Sequence, residues 1–403
     1  MGLKRLLDQP LIYLFTSSFL VLFVGMGLFP LLPVYAAQLG ASKTTIGVLF
    51  AAMYISNAIG SMLPAWLAGR LSRKSLFVAG SVLGLPALLL LGRATALWQV
   101  AVLTSILWFS GGLVVSLVNV FTGLYSSGRN RGKSFSLMSL PMPLGTLIGS
   151  AAVGGLVTRQ GFATMFSVLG VLWVLLPLIG LFLLKDRPST GQASGAHPPE
   201  TGPARLAPSF YLLLGLTIAS ALAINAGRLG TSLSMQALDF SPGAIASSAT
   251  VSGLFAIPLT FMIGILSDRL GRERFLTIAY LLASAGVLSL VFASQLWQFW
   301  MAATLLLVSL SASGAMASAL ASDILAPEAM TRGLSWLKGM NSTASVISFA
   351  ATGIFLDSFG PQALYLVALI LPLVGALALE TVGCKPRHIL PLPASLRNDF
   401  FCM

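Results

Sequence analysis

Gly264-Ile265-Leu266-Ser267-Asp268-Arg269-Leu270-Gly271-Arg272-Glu273-Arg274 is a short charged turn set between two long apolar runs, 243–267 and 275–294. Leu266, Arg269, Leu270 and Arg272 have counterparts in Leu67, Arg70, Leu71 and Arg73, each 199 residues earlier, at the turn between runs 44–69 and 75–93. Leu97-Trp98-Gln99 returns as Leu296-Trp297-Gln298 at the same offset of 199, and Arg131-Gly132-Lys133-Ser134 as Arg332-Gly333-Leu334-Ser335 at 201. A self-match of this kind in a chain of 403 residues marks an internal duplication.

The solvent of both copies follows from composition. Only 8% of residues are charged and 56% are hydrophobic, whereas a soluble chain carries roughly 25% charge to face water. That excludes a soluble enzyme, a disordered chain and a disulfide-built secreted domain. Crossing the hydrocarbon core takes about 20 apolar residues as a helix. Twelve such runs are present, near 10–36, 44–69, 75–93, 97–125, 132–158, 162–184, 208–237, 243–267, 275–294, 297–324, 332–357 and 361–380. They do not alternate apolar with polar, so a β-barrel is excluded. The Pro, Gly, Ser and Thr-rich segment 186–207 reads as a linker. The expected fold is therefore all-α and integral to the membrane: twelve transmembrane helices as two pseudo-symmetric six-helix bundles, 1–185 and 208–383, followed by a tail, 384–403. Six is even, so both bundles enter the membrane in the same direction, which places a solute site at their interface.

The net charge of +12 first suggests an acidic partner such as nucleic acid. Its placement says otherwise. Of 23 Lys and Arg, Lys43, Arg93 and Arg159 fall on one side and Arg228 and Lys338 inside runs, leaving 18 on the other side. Basic loops stay in the cytoplasm, so both termini are expected there, in a cell inner membrane, with no nucleic-acid partner. The first run is too long for a cleavable signal peptide. Cys384 and Cys402 lie in the tail, and His197 and His388 are far apart, so no disulfide, metal or cofactor is expected. Ser127 to Ser134 nearly spells a phosphate-binding loop, but it joins two apolar runs instead of a strand and a helix.

With the repeat and the runs in place, Gly264 to Arg274 resembles the cytoplasmic-loop signature of the major facilitator superfamily, and Ala65 to Lys74 its degenerate twin. Pro30-Leu31-Leu32-Pro33 followed by Leu39-Gly40-Ala41-Ser42 is similar to drug- and sugar-efflux members. The resemblance implies a gating latch made by Asp268, Arg269, Gly271, Arg272 and Arg131. The loop's acid would lie against a helix N-terminus of the opposite half, which stabilises an anion by about 0.3–1 kcal/mol. Arg70, Arg73 and Arg332 belong to the matching latch of the first copy, which is expected to be weaker because Gly69 and Ser72 stand where Asp and Gly are expected. Asp268→Asn should accordingly alter conformational bias more than Gly69→Ala. A tight, basic turn without gating is the competing reading. Gly145-Thr146-Leu147-Ile148-Gly149-Ser150 keeps a glycine spacing suited to close packing, but lacks the proline of proton-exchanging members. Leu107 to Gly111 likewise lacks their arginine.

Candidate solute-binding residues come from polar groups placed in lipid. Arg228 lies within a run, and a charge at depth costs at least about 2.5–3.5 kcal/mol. Asn225, Arg228, Ser232 and Met235 share a helical face. Arg228 has two readings: an anchor for a carboxylate, phosphate or other electron-rich group, or a cation that snorkels outward or pairs with Asp239. Lys338 is expected to snorkel to the cytoplasm. Asn119, Asn57, Tyr35 and Trp108 are further candidates, with packing roles equally open. The small-residue rows Ala52-Ser56-Gly60-Pro64-Ala68 and Ser252-Ala256-Thr260-Gly264 read as packing ridges. No Asp or Glu falls mid-run, which leaves neither a proton relay nor a counter-charge for an organic cation.

The functional expectation is a secondary carrier, not an enzyme, that exports a small organic solute by rocker-switch alternating access, as a monomer in the bilayer. The alternatives are a uniporter or importer of an anionic or neutral metabolite, and a membrane sensor that binds without transport.

Overall fold

The structure, a computed structural model, describes residues 9–67, 70–125, 137–183, 208–325 and 327–382. Among them every regular element is helical. The first half contributes α1 (Gln9–Leu28), α2 (Leu32–Gln38), α3 (Lys43–Trp66), α4 (Arg73–Leu91), α5 (Leu97–Tyr125) and α6 (Ser150–Trp173). The second contributes α7 (Pro208–Ala237), α8 (Pro242–Leu270), α9 (Arg272–Val291), α10 (Leu296–Ile324), α11 (Pro327–Ser358) and α12 (Gly360–Val382). By length and composition, eleven helical stretches among the described residues are able to cross a membrane. The linker and the tail lie outside the described residues.

One run is broken where a continuous helix is expected, and two others meet at their expected boundary without a gap. Run 10–36 is not one helix: α1 ends at Leu28, residues 29–31 turn, and α2 restarts with a proline in its first turn. The cause is Pro30, which has no N–H to give to a carbonyl of the preceding turn. Runs 132–158 and 162–184 join into one stretch, Leu137–Phe182, reversing at Gly161, whose φ of 77° and ψ of 174° suit a residue without Cβ. Just ahead of α6, Gly145–Gly149 forms a π-helical turn. A Cβ on Gly145 or Gly149 would strike the main chain of Leu22 or Phe23, so these glycines let α1 lie backbone to backbone on this turn.

The duplication extends to hydrogen bonds. Gln99 Oε1 accepts from the Thr95 and Ala96 N–H groups at the start of α5, and Gln298 Oε1 from Ser294 and Gln295 at the start of α10. The recurrent Gln is thus a capping residue that satisfies orphan N–H groups inside a lipid-facing end. Ser110 donates to the Gly80 carbonyl at 2.6 Å, and Ser309 to the Ala279 carbonyl at 2.7 Å, tying α4 to α5 and α9 to α10. The signature turns differ. Gly271 closes α8 at φ 102°, whereas Ser72 sits at φ −67° and caps α4 by accepting from the Ser75 N–H. A serine replaces the expected glycine because the first copy turns by capping instead of by a positive φ.

Outward faces are apolar: Leu366, Ile370, Val374 and Leu377 of α12 form an exposed stripe at helical spacing, which only lipid can cover. The α7 helix is the most enclosed. One continuous core joins the first half to the 223–246, 283–306 and 349–368 portions of the second. The remaining second-half core, from Phe210 to Leu379, is separate. Both cores lie along the same helices, so the halves are fused at one end of the molecule and parted at the other. The parted end carries the turns at 70–72 and 271 and the linker attachments; we call it the basic side and the fused end the far side.

Candidate functional site

The far side is sealed where α3 meets α11. Gly47 and Gly353 face each other so closely that a Cβ on Gly47 would lie 2.5 Å from the Phe349 carbonyl oxygen, and one on Gly353 would strike the Lys43 carbonyl. The Thr44 N–H, in the first turn of α3, donates to Asp357 Oδ2 of α11 at 2.7 Å. An anion from the second half therefore sits on the positive end of a first-half helix. Beneath this contact, Phe349 meets Phe50 at 5.6 Å, Tyr54 at 4.7 Å and Phe29 at 6.1 Å between ring centroids. A second seam joins α6 to α8 through Gly154 against Ala246 and Gly243 against Thr158.

Behind the ring cluster lies a cavity of about 310 Å³, within the small-molecule range of roughly 300–1,000 Å³. The first half lines it with Tyr54, Asn57, Trp108, Ser116 and Asn119, the second with Lys338 and Ser342. Asn57 donates to the Trp108 carbonyl at 3.1 Å, tying α3 to α5, while Asn119 is exposed to the cavity. A smaller compartment of about 50 Å³ adjoins it, lined by Arg228, Thr231, Ser232, Ser248 and Ser252 of the second half and by Thr146 and Pro30 of the first. Phe29 and Met26 line both compartments and form their common wall.

Arg228 lies at this wall. Its guanidinium carbon is 4.2 Å from the Phe29 ring centroid. The Phe29–Pro30 break in the first helix is what presents that ring. Such a contact returns about 0.5–1 kcal/mol, or ~2 when desolvated, and so offsets only part of the insertion cost of about 2.5–3.5 kcal/mol. Asn225 positions the guanidinium: its Nδ2 donates to the Ala221 carbonyl and to Ser345 Oγ of α11, which turns its Oδ1 toward Arg228 Nη1, 3.5 Å away. The snorkelling and Asp239 readings are both set aside, because the side chain points across to the first half.

The expected site residues divide. Trp108 and Asn119 line the wide cavity, and Arg228 and Ser232 the small one. Asn225 lines neither; it is buried and spends its amide within the second half. Tyr35 is also elsewhere. It sits on α2 between Phe162 and Phe166 and donates to the Leu91 carbonyl at 2.5 Å. The chain break at Pro30 rotates it into first-half packing, which a continuous helix would not have done. Lys338, expected to snorkel to the cytoplasm, is exposed and lines the wide cavity. Ser252, assigned to a packing ridge, faces Arg228's compartment. The Phe349 ring cluster and Asp357 are not among the expected site residues, although Asp357, an acid at the end of a run and four residues after Gly353, is a visible signal.

At the basic side, Arg272 pairs with Asp323 at 2.8 Å, stitching α9 to α10 inside the second half instead of reaching across. Both side chains are over a third exposed, so the pair contributes about 0–1 kcal/mol. Position 124, the counterpart of Asp323, is Leu124, which leaves Arg73 without that partner. Arg131 and the side chains of Asp268, Arg269 and Arg332 lie outside the described residues; Arg70 lies in the turn before α4. Among the described residues no cluster of His, Cys, Asp or Glu is placed to hold a metal ion.

A solute-sized cavity between duplicated, lipid-facing halves is the geometry of a carrier, and the family model described as Major Facilitator Superfamily matches residues 14–227 and 210–388. The chain belongs to the major facilitator superfamily. This facilitator is accordingly a multi-pass membrane transporter and not an enzyme. It is similar to the multidrug resistance protein MdtG of Salmonella choleraesuis (strain SC-B67) and of Salmonella arizonae, each 26% identical over 286 residues, covering 67% of this chain and 69% of the relative. Its fold is similar to the crystal structure of the nucleoside transporter NupG, with a TM-score of 0.74 at 13% identity, covering 93% of this chain and 98% of that one. It is likewise similar to a POT family transporter in complex with 5-aminolevulinic acid, with a TM-score of 0.77 at 14% identity, covering 94% and 97%.

Proposed function

We propose that this facilitator is a secondary active carrier that exports a small organic solute across the cell inner membrane by rocker-switch alternating access. The observation that carries the reading is the shape of the core: the halves share one core at the far side and keep separate cores at the basic side, with the cavity between them. A cavity sealed on one side by contacts between halves is one of the two end states that alternation needs. The positive-inside pattern supports the basic side as cytoplasmic, with both termini there. The stretch Leu137–Phe182, at about 1.5 Å per residue, is ~69 Å long and exceeds twice the ~30 Å hydrocarbon core. Counted as two crossings about Gly161, it supports twelve crossings in two six-helix bundles. The similarity to multidrug resistance proteins supports export as the direction.

Purified protein in liposomes tests this with neutral, anionic and cationic solutes, with and without an imposed pH gradient. Export predicts solute accumulation against its own gradient in the orientation where the basic side faces the supply. Downhill flux alone would make the protein a uniporter, and saturable binding without flux would make it a sensor.

A further inference from the structure

We propose that the solute is an amphipathic organic anion, with a carboxylate or phosphonate-type head met first by Lys338 and then held by Arg228, and an apolar body lying on Tyr54 and Trp108. The assignment rests on the carrier reading above and deepens it by naming the charge of the cargo.

The argument begins with charge placement. Both compartments contain a cation, Arg228 in the small one and Lys338 in the wide one, and neither lining includes an Asp or Glu. Neither cation has a carboxylate partner among the described residues. An organic cation entering here would meet two like charges with no carboxylate in either lining to oppose them. An anion meets the opposite field at each stage.

Hydrogen bonding then distinguishes an anchor from a stray charge. The guanidinium of Arg228 rests one face on Phe29 and makes a single, long hydrogen bond, to Asn225 at 3.5 Å. Its remaining N–H donors have no hydrogen-bond acceptor among the described residues, and Arg228 lines the compartment. Around it, Thr231, Ser248 and Ser252 donate their hydroxyl protons to carbonyls of their own helices. Ser232 makes no such bond among the described residues and lines the same compartment, so its hydroxyl adds a donor beside the guanidinium. The compartment, about 50 Å³, admits a head group and not a ring. A ring has its place in the adjoining cavity of about 310 Å³, among Tyr54, Trp108 and Phe29. Lys338 stands in that wider space, at the basic-side portion of α11, where it meets the anion first. Phe29, as the common wall, separates the two cations and must yield for the head to pass from Lys338 to Arg228.

The test uses four probes that share a phenyl ring: benzoate, phenylphosphonate, benzamide and benzylammonium. Thermal stabilisation of the purified full chain reads binding, and liposome flux reads transport. Benzoate and phenylphosphonate should stabilise and move, while benzamide and benzylammonium should do so weakly or not at all. Arg228→Gln and Lys338→Gln should each weaken anion binding by at least about tenfold. Arg228→Lys and Lys338→Arg, which keep the cations and guard against a misfolded variant, should restore most of it. Benzylammonium or benzamide binding as tightly as benzoate would overturn the assignment. So would an unaltered benzoate response in the double Gln variant, or no response to either anion up to millimolar concentration. If anions bind and no solute moves, the carrier reading fails while the anion assignment stands. If only benzylammonium moves, the reverse holds.

Discussion

Position along a helix does not by itself decide what Tyr35 and Lys338 touch. Depth along a run tells how far a residue sits from water, but not which neighbour it faces. Lys338 lies close enough to the end of α11 to snorkel, yet its helix borders the cavity and the side chain enters it. Tyr35 depends on whether the helix before it is continuous. The phenol of Tyr35 bonds the carbonyl that ends α4, at Leu91. Tyr35→Phe should remove one of the two hydrogen bonds to that carbonyl, which also accepts the Ala94 N–H, and lower stability by about 0.5–1.5 kcal/mol. A melting curve in detergent should record the loss, with the binding response to benzoate retained. A Tyr35→Phe protein that melts like the parent but binds poorly would return Tyr35 to the cavity. The other candidates were legible for a plain reason: Arg228, Trp108, Asn119 and Ser232 are polar or aromatic groups on enclosed helices, where lipid offers them no partner. Asn225 satisfies the same criterion and is consumed by structure, because an amide is as useful for tying α7 to α11 as for holding a solute.

Individual helices were read correctly where the membrane dictated their length, and incorrectly where backbone chemistry intervened. Pro30 divides the first run, whereas the expected boundary between runs 132–158 and 162–184 falls where the stretch from 137 to 182 reverses, at Gly161. The contact of α3 with α11 could not be read at all, since Gly47 and Gly353 are unremarkable glycines until the two helices are seen to cross. There the neighbours of an added methyl are main-chain atoms, which cannot rotate away. Gly353→Ala should therefore strain the sealed far side by about 1–3 kcal/mol, with no penalty once α3 and α11 separate. With Cys384 and Cys402 replaced by Ser, the rate of alkylation at Ile46→Cys, a buried position in this seam, should rise. An unchanged rate would mean that the crossing tolerates the methyl and is not a tight seal.

For the whole molecule, the Asp357 contact is a polar tie that links the halves across the far side, beside the bond from the Thr44 hydroxyl to the Gly353 carbonyl. It is exposed, so solvent screening keeps it modest, about 0.3–1 kcal/mol for an anion at a helix N-terminus. Asp357→Asn should shift the balance toward the far-side-open form by roughly two- to fivefold. Spin labels at Gln38→Cys and Gln362→Cys, one on each half, would report this as a larger long-distance population. No change in that distribution would remove Asp357 from the gate. Ser110 and Ser309 carry a different message. Each donates to a backbone carbonyl, of Gly80 in one half and Ala279 in the other, and a carbonyl is supplied by any residue whatever its side chain. The acceptor position was therefore free to mutate after the gene doubled, and only the donor had to be kept. Ancestry is preserved longest where a side chain meets the main chain, because such a bond needs one partner conserved and not two.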